Sequence, residues 1–267
     1  MKNNWISCII AVFEHPDLLT LGVLLISFSV AIQALEPAVE ESVFETSLPT
    51  NHPLLINILT ISNDEMTQAA INRHLNDTDF TSNFRVNVLA GYPSQQHVLN
   101  EASISDIKQA IDIEIPQSLV RVDYIMYDNE GWDKTPRYEQ ADPARSTNRA
   151  ADIVHAAGYD FAASPSKEFL DDALYRIDWR KIELLIIQTQ KLVETSEFKS
   201  MTYEVSSAVR SENPNCIIMI QVNPSLNTIE QIINDVTSVR TSIDGVSIIW
   251  NGNDTRVLDE LLTSLRH

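Results

Sequence analysis

From Leu54 onward the chain alternates between short apolar runs rich in β-branched residues and longer stretches with apolar residues at helical spacing. No other feature narrows the possible folds as much. Residues 54–61, 84–90, 120–128, 159–163, 182–189, 216–222 and 245–250 read as strands, and near-continuous apolar runs of this kind are buried on both faces. Between them, 64–75, 104–113, 143–155, 197–211, 227–239 and 254–265 read as helices, one opened by the cap pair Asp142-Pro143 and closed at Gly158. Strands alternating with helices predict parallel βαβ units. A closed barrel needs eight strands; the stretch between 91 and 119, or the chain before 54, is long enough to hide the missing one. A doubly wound open sheet would carry a glycine-rich phosphate loop after its first strand, and residues 60–64 contain no glycine. The expected fold is therefore α/β, a parallel (β/α) barrel of seven to eight strands over residues 54–267. A chain of 267 residues that is 44% hydrophobic can supply one such core.

What precedes the barrel is different in kind. Residues 18–34 are uncharged and apolar, at the lower limit of a transmembrane helix and somewhat long for a signal-peptide core. Residues 1–34 are expected to act as a signal peptide or membrane anchor, and 35–53, acidic with Pro37, Pro49 and Pro53, as a linker. The body would then be extracellular, or anchored on the outer face, with the membrane a partner only through an uncleaved leader. The formal charge of −18 repels phosphate backbones, so nucleic acid is not an expected partner. Of the two cysteines, Cys8 falls in the leader, which leaves Cys216 as a small buried hydrophobe without an internal disulfide.

Chemistry in a parallel barrel gathers at the carboxyl ends of its strands. The most informative end lies in residues 120–143, VRVDYIMYDNEGWDKTPRYEQADP, where an apolar run stops at Asp128, Asn129 and Glu130. Side chains alternate along a strand, so Asp128 and Glu130 share one face. Two carboxylates so placed repel each other, raising one pKa until a proton is held near neutrality. The remaining strand ends offer Asn63, Tyr92, Ser164, Gln188 with Gln190, Gln221 with Asn223, and Trp250, while Trp132 stands in the loop beyond Glu130. Amides, acids and aromatics suit a carbohydrate or another polar small molecule: planar rings against sugar faces, polar groups to hydroxyls. The scattered histidines provide no metal spacing, and no cofactor is expected.

Asp123 to Glu130, DYIMYDNE, resembles the D-x-x-D-x-D-x-E signature of the chitinase-like glycoside hydrolase family 18, with Met126 in place of the middle aspartate. The resemblance implies an eight-stranded barrel with Glu130 as general acid and Asp128 as its partner, orienting the substrate's N-acetyl group as the nucleophile. It also implies that Trp250, in GVSIIW, floors a sugar subsite. Gln188 and Gln190 stand where that family has a tyrosine. Residues 127–143 are also similar to a motif of secreted barrel proteins with no assigned activity. A double-displacement mechanism needs a second acid facing the first; Asp133 and Glu139, in the loop, are the candidates for it, and substrate assistance is the alternative. Two functions follow as expectations: a glycoside hydrolase acting on N-acetylated glycans, or a barrel that binds carbohydrate, or serves the cell surface, without cleaving anything.

Overall fold

The computed structural model describes residues 52–58, 65–92, 96–251 and 254–266. The leader, the linker up to residue 51 and Asn63 lie outside them. Parallel strands β1 (Leu54–Ile58), β2 (Phe80–Asn83), β3 (Gln96–Glu101), β4 (Tyr124–Tyr127), β5 (Asp160–Ala163), β6 (Leu184–Ile187), β7 (Ile217–Val222) and β8 (Gly245–Trp250) pair in chain order, and β8 closes on β1. This is a TIM barrel. The missing strand is β3, inside the 91–119 gap; its sequence, QHVLNE, is half polar and so escapes an apolar-run criterion. The second strand is the other correction. It runs over Phe80–Asn83, upstream of the apolar 84–90, and that segment instead carries the short helix α2 (Val86–Leu89). FTSN has too few apolar residues to announce itself, and position in the barrel, not composition, makes it a strand.

The other helices of four residues or more are α1 (Glu65–His74), α3 (Ile104–Gln109), α4 (Arg137–Gln140), α5 (Pro143–Ala156), α6 (Lys167–Ala173), α7 (Ser196–Glu212), α8 (Ile229–Val239) and α9 (Thr255–Arg266) among the described residues. Past α3 the chain continues through a π-turn at Ala110–Glu114. Several starts are capped as the sequence suggests: Ser103 accepts from the Asp106 amide, Asp142 from Arg145, and Thr228 forms a reciprocal box with Gln231. Helix α5 ends with Gly158 at φ +85°, a left-handed position that glycine takes without strain. At the amino end of the barrel, the fully buried Asp79 accepts from the Leu54 amide and pairs with Arg266, fastening the last helix to the first strand.

Register decides what the lumen contains. Leu55, Phe80, Val98, Tyr124, Met126, Ala162, Leu184, Ile186 and Met219 form one apolar cluster inside the barrel, separate from the larger core between sheet and helices. Lumen side chains in such barrels stack in layers drawn from alternate strands. Above the apolar layers, the odd strands contribute Asn57, Asn100, Ser164 and Gln221, all buried. Above these, the even strands and their immediate extensions contribute Phe84, Asp128, Gln188 and Ile249. The lumen thus changes from apolar to polar toward the carboxyl end.

Candidate functional site

Asp128 continues the lumen phase of Tyr124 and Met126, and Glu130 follows it one alternation further out, as the strand pattern predicts. Gln188, the corresponding residue beyond β6, brings the two acids together. Its Nε2 donates to Glu130 Oε1 at 2.8 Å and to Asp128 Oδ1 at 3.2 Å, with the Ser164 carbonyl at 3.0 Å and Ser164 Oγ at 3.3 Å. Asp128 is 7% exposed whereas Glu130 is half-buried. Burial, then the negative charge of Glu130, push the Asp128 carboxyl well above the usual carboxylate range, and Lys134 and a hydrogen bond from Ser164 oppose this only in part. The sequence led us to expect the held proton on Glu130. The raised carboxyl in the structure is Asp128, the deeper of the two, because burial is the largest cause of its shift.

The loop after β4 is self-supporting. Gln140 Nε2 donates to the carbonyls of Trp132 (2.8 Å) and Thr135 (2.7 Å), and Trp132 Nε1 donates to Thr135 Oγ1, which itself donates to the Ala102 carbonyl. This fixes Trp132 at the rim, 6.3 Å from the ring of Phe84, with Lys134 Nζ 4.7 Å from the Trp132 ring. A cleft of about 570 Å³ opens beside Glu130, Trp132 and Gln188 and is bounded across by Glu168, Phe169 and Lys191.

Glu139 does not belong to this cleft. It is fully buried, accepts from Tyr127 Oη at 2.7 Å and from the Ile104 amide at 3.1 Å, and so ties β4 to the start of α3. Asp133 is exposed on the loop. Glu168, which strand-end reading overlooked because it opens a helix, is the further acid lining the cleft.

Three of the remaining expected site residues are elsewhere. Trp250 is 2% exposed and belongs to the outer core; in β8 the lumen positions are Ser247 and Ile249, so alternation turns the tryptophan away from the lumen. Tyr92 is buried in the same outer core, and its carbonyl meets His97 near the start of β3, at the barrel's amino end. That displacement follows from the misplaced second strand. Asn223 shapes the turn after β7, accepting from the Ser225 amide. Gln221 does point into the lumen, beneath the mouth, buried at 4% exposure. Asn57 and Asn100 lie in the same layer and were missed. They sit inside strands, where a polar residue in lumen phase was the available signal. Cys216 is buried at the start of β7, its thiol pushed up to about 12 by burial, which makes it a poor nucleophile.

Comparison with known proteins bears on the fold. No protein-family model matches the chain, and no curated protein matches it. The structure is similar to that of a protein named as an aldo-keto reductase from Pseudomonas aeruginosa, at 8% identity over 79% of this chain and 88% of that one, TM-score 0.51. It is also similar to a mandelate oxidase variant carrying an FMN adduct, at 9% identity over 80% of this chain and 71% of that one, TM-score 0.50. A mandelate racemase/muconate lactonizing protein from Herpetosiphon aurantiacus aligns at 9% identity and TM-score 0.44 over 72% of this chain; the chain spans 54% of that protein's length, a likeness too slight to bear on the fold. The first two similarities agree with a TIM barrel. They lend no support to kinship with the chitinase-like hydrolases.

Proposed function

We propose that the carboxyl mouth is an acid–base centre acting on a glycan, with Glu130 presented to the ligand and Asp128 beneath it as proton partner. The observation that carries this reading is the carboxyl pair bridged by Gln188 Nε2, one member buried and the other facing the cleft. Burial and the neighbouring charge of Glu130 raise the Asp128 carboxyl, which suits it to hold a proton beneath the pair. Passing it across the pair places it on Glu130, which donates it to the glycosidic oxygen as the C–O bond breaks. Positive charge then develops on the sugar carbon. The ligand's own N-acetyl oxygen can meet it, or Glu168 across the cleft, which among the described cleft residues is the other carboxylate. Trp132, which lines the cleft, offers an aromatic surface against which a sugar can pack. The expected export of the chain, with this mouth facing the outside, is part of the proposal. Among the described residues no helix is long and apolar enough to cross a membrane, and the leader lies outside them.

A barrel that binds carbohydrate without cleaving it is the second reading. What favours it is Met126 in the lumen, beneath the pair, where a third stacked acid would otherwise stand. Incubating the full chain with a glycan panel, with turnover and binding both measured, separates the two. Under the catalytic reading, Glu130→Gln lowers the rate roughly 100-fold or more by removing the group that delivers the proton to the glycosidic oxygen, while binding changes little. Cleavage at an unchanged rate in Glu130→Gln would remove this site from consideration. Binding without wild-type turnover would leave the second reading.

A further inference from the structure

The lumen directly beneath the acid pair is unusual for a TIM barrel, where bulky branched residues dominate the layers. Here Asn57, Asn100, Ser164 and Gln221 make a layer with no apolar member, and the layer below contains Ser82 and Ser247 beside Met126 and Ile186. Each of these polar residues is at most 4% exposed. Burying such groups is unfavourable unless they find partners. On the β4–β6 side they do, since Ser164 meets Gln188. On the other side they are under-used. Asn100 Nδ2 reaches Asn57 Oδ1 at 3.5 Å, while Asn100 Oδ1, Ser82 Oγ and Ser247 Oγ have no hydrogen-bond partner. The two serines also fill less of the lumen than the branched residues they replace. The under-used groups all belong to one contiguous arc, β8–β1–β2–β3, opposite the acids, and Gln221 on the adjoining β7 extends it. None carries a charge, and the carboxyl pair above would repel an anion.

We propose that Asn57, Ser82, Asn100, Gln221 and Ser247 form a buried subsite for the uncharged, hydroxyl- or amide-bearing end of the ligand. The ligand enters the lumen end first, with the bond to be processed held level with Glu130. The proposal rests on the glycan reading and specifies which glycans: those ending in a neutral sugar, as opposed to a uronic acid or a phosphorylated one. The ring end occupies the neutral arc and donates and accepts hydrogen bonds there, and the acids contact only the linkage above.

Saturation-transfer NMR on the full chain with glucose, N-acetylglucosamine and glucuronate tests this. Transfer is expected to the two neutral sugars, with glucuronate roughly tenfold weaker or absent. Asn100→Leu, similar in size but unable to hydrogen-bond, and Ser247→Ala, chosen because it removes one oxygen with little risk to folding, should each weaken neutral-sugar binding several-fold. Both variants are checked for native circular dichroism. A layer that is merely hydrated predicts unchanged binding in folded Asn100→Leu and Ser247→Ala, and that result overturns the subsite. So does glucuronate binding as well as glucose, or no transfer to either neutral sugar. Binding that depends on Asn100 and Ser247 without any glycan turnover would keep the subsite and dismiss the acid–base centre.

Discussion

Glu101 closes β3 on the helix side of the sheet, in register with Tyr127, and is 8% exposed. Burial, reinforced by the charges of Asp106 and Glu114, lifts its pKa from an ordinary 4.5 to about 8. The folded protein therefore keeps this proton up to about pH 8, while the unfolded chain releases it near 4.5. Between those values the native state binds more protons than the unfolded state, so the contribution to stability is complete below 4.5 and is lost as pH rises through 8. At 1.36 kcal/mol per pH unit, the difference is about 3–5 kcal/mol. Glu101→Gln cannot ionise and escapes the loss. Relative to wild type, its stability should be flat below pH 4.5 and rise to about 3–5 kcal/mol by pH 8.5. At 2–4 °C per kcal/mol for a domain of this size, Tm should gain roughly 6–20 °C. Thermal melts of both proteins from pH 4 to 9 measure this. Asp106→Asn should shallow the slope without removing it, because burial is the larger cause. A Glu101→Gln difference that does not change with pH would refute the reasoning.

Two further substitutions test assignments made above. Glu139→Ala leaves the Tyr127 hydroxyl and the Ile104 amide buried without their acceptor and should cost about 2–5 kcal/mol in urea unfolding. Asp133→Ala, on the exposed loop, should stay within about 0.5 kcal/mol; equal effects would mean that Glu139 does not tie β4 to α3. Gly245→Ala would bring a Cβ to 2.2 Å from the Pro53 carbonyl oxygen, where the chain enters β1. Closure of β8 on β1 must then shift, and a loss of about 1–3 kcal/mol or more in Tm-derived stability is expected, with an unchanged Tm contradicting that close approach.

The in-phase pair Asp128 and Glu130 was legible in the chain because alternation along one strand is a local property. The alternation of strands and helices was legible for the same reason, and with it the parallel barrel. Other features depend on where one strand lies against the next. FTSN and QHVLNE are strands because the barrel requires neighbours at those positions, not because of their own composition. Trp250 faces outward because closure of β8 on β1 fixes its phase, and no local pattern specifies which face of a strand looks into a lumen. Glu139 and Glu168 are both acids near the same loops, yet folding buries one under α3 and sets the other on the cleft. The proton's place is likewise tertiary. Sequence supplies two repelling carboxyls, but burial beneath the mouth decides that the Asp128 carboxyl is the one raised. Asn57 and Gln221 are 164 residues apart in number and meet in one layer only because the sheet closes on itself with the register it has.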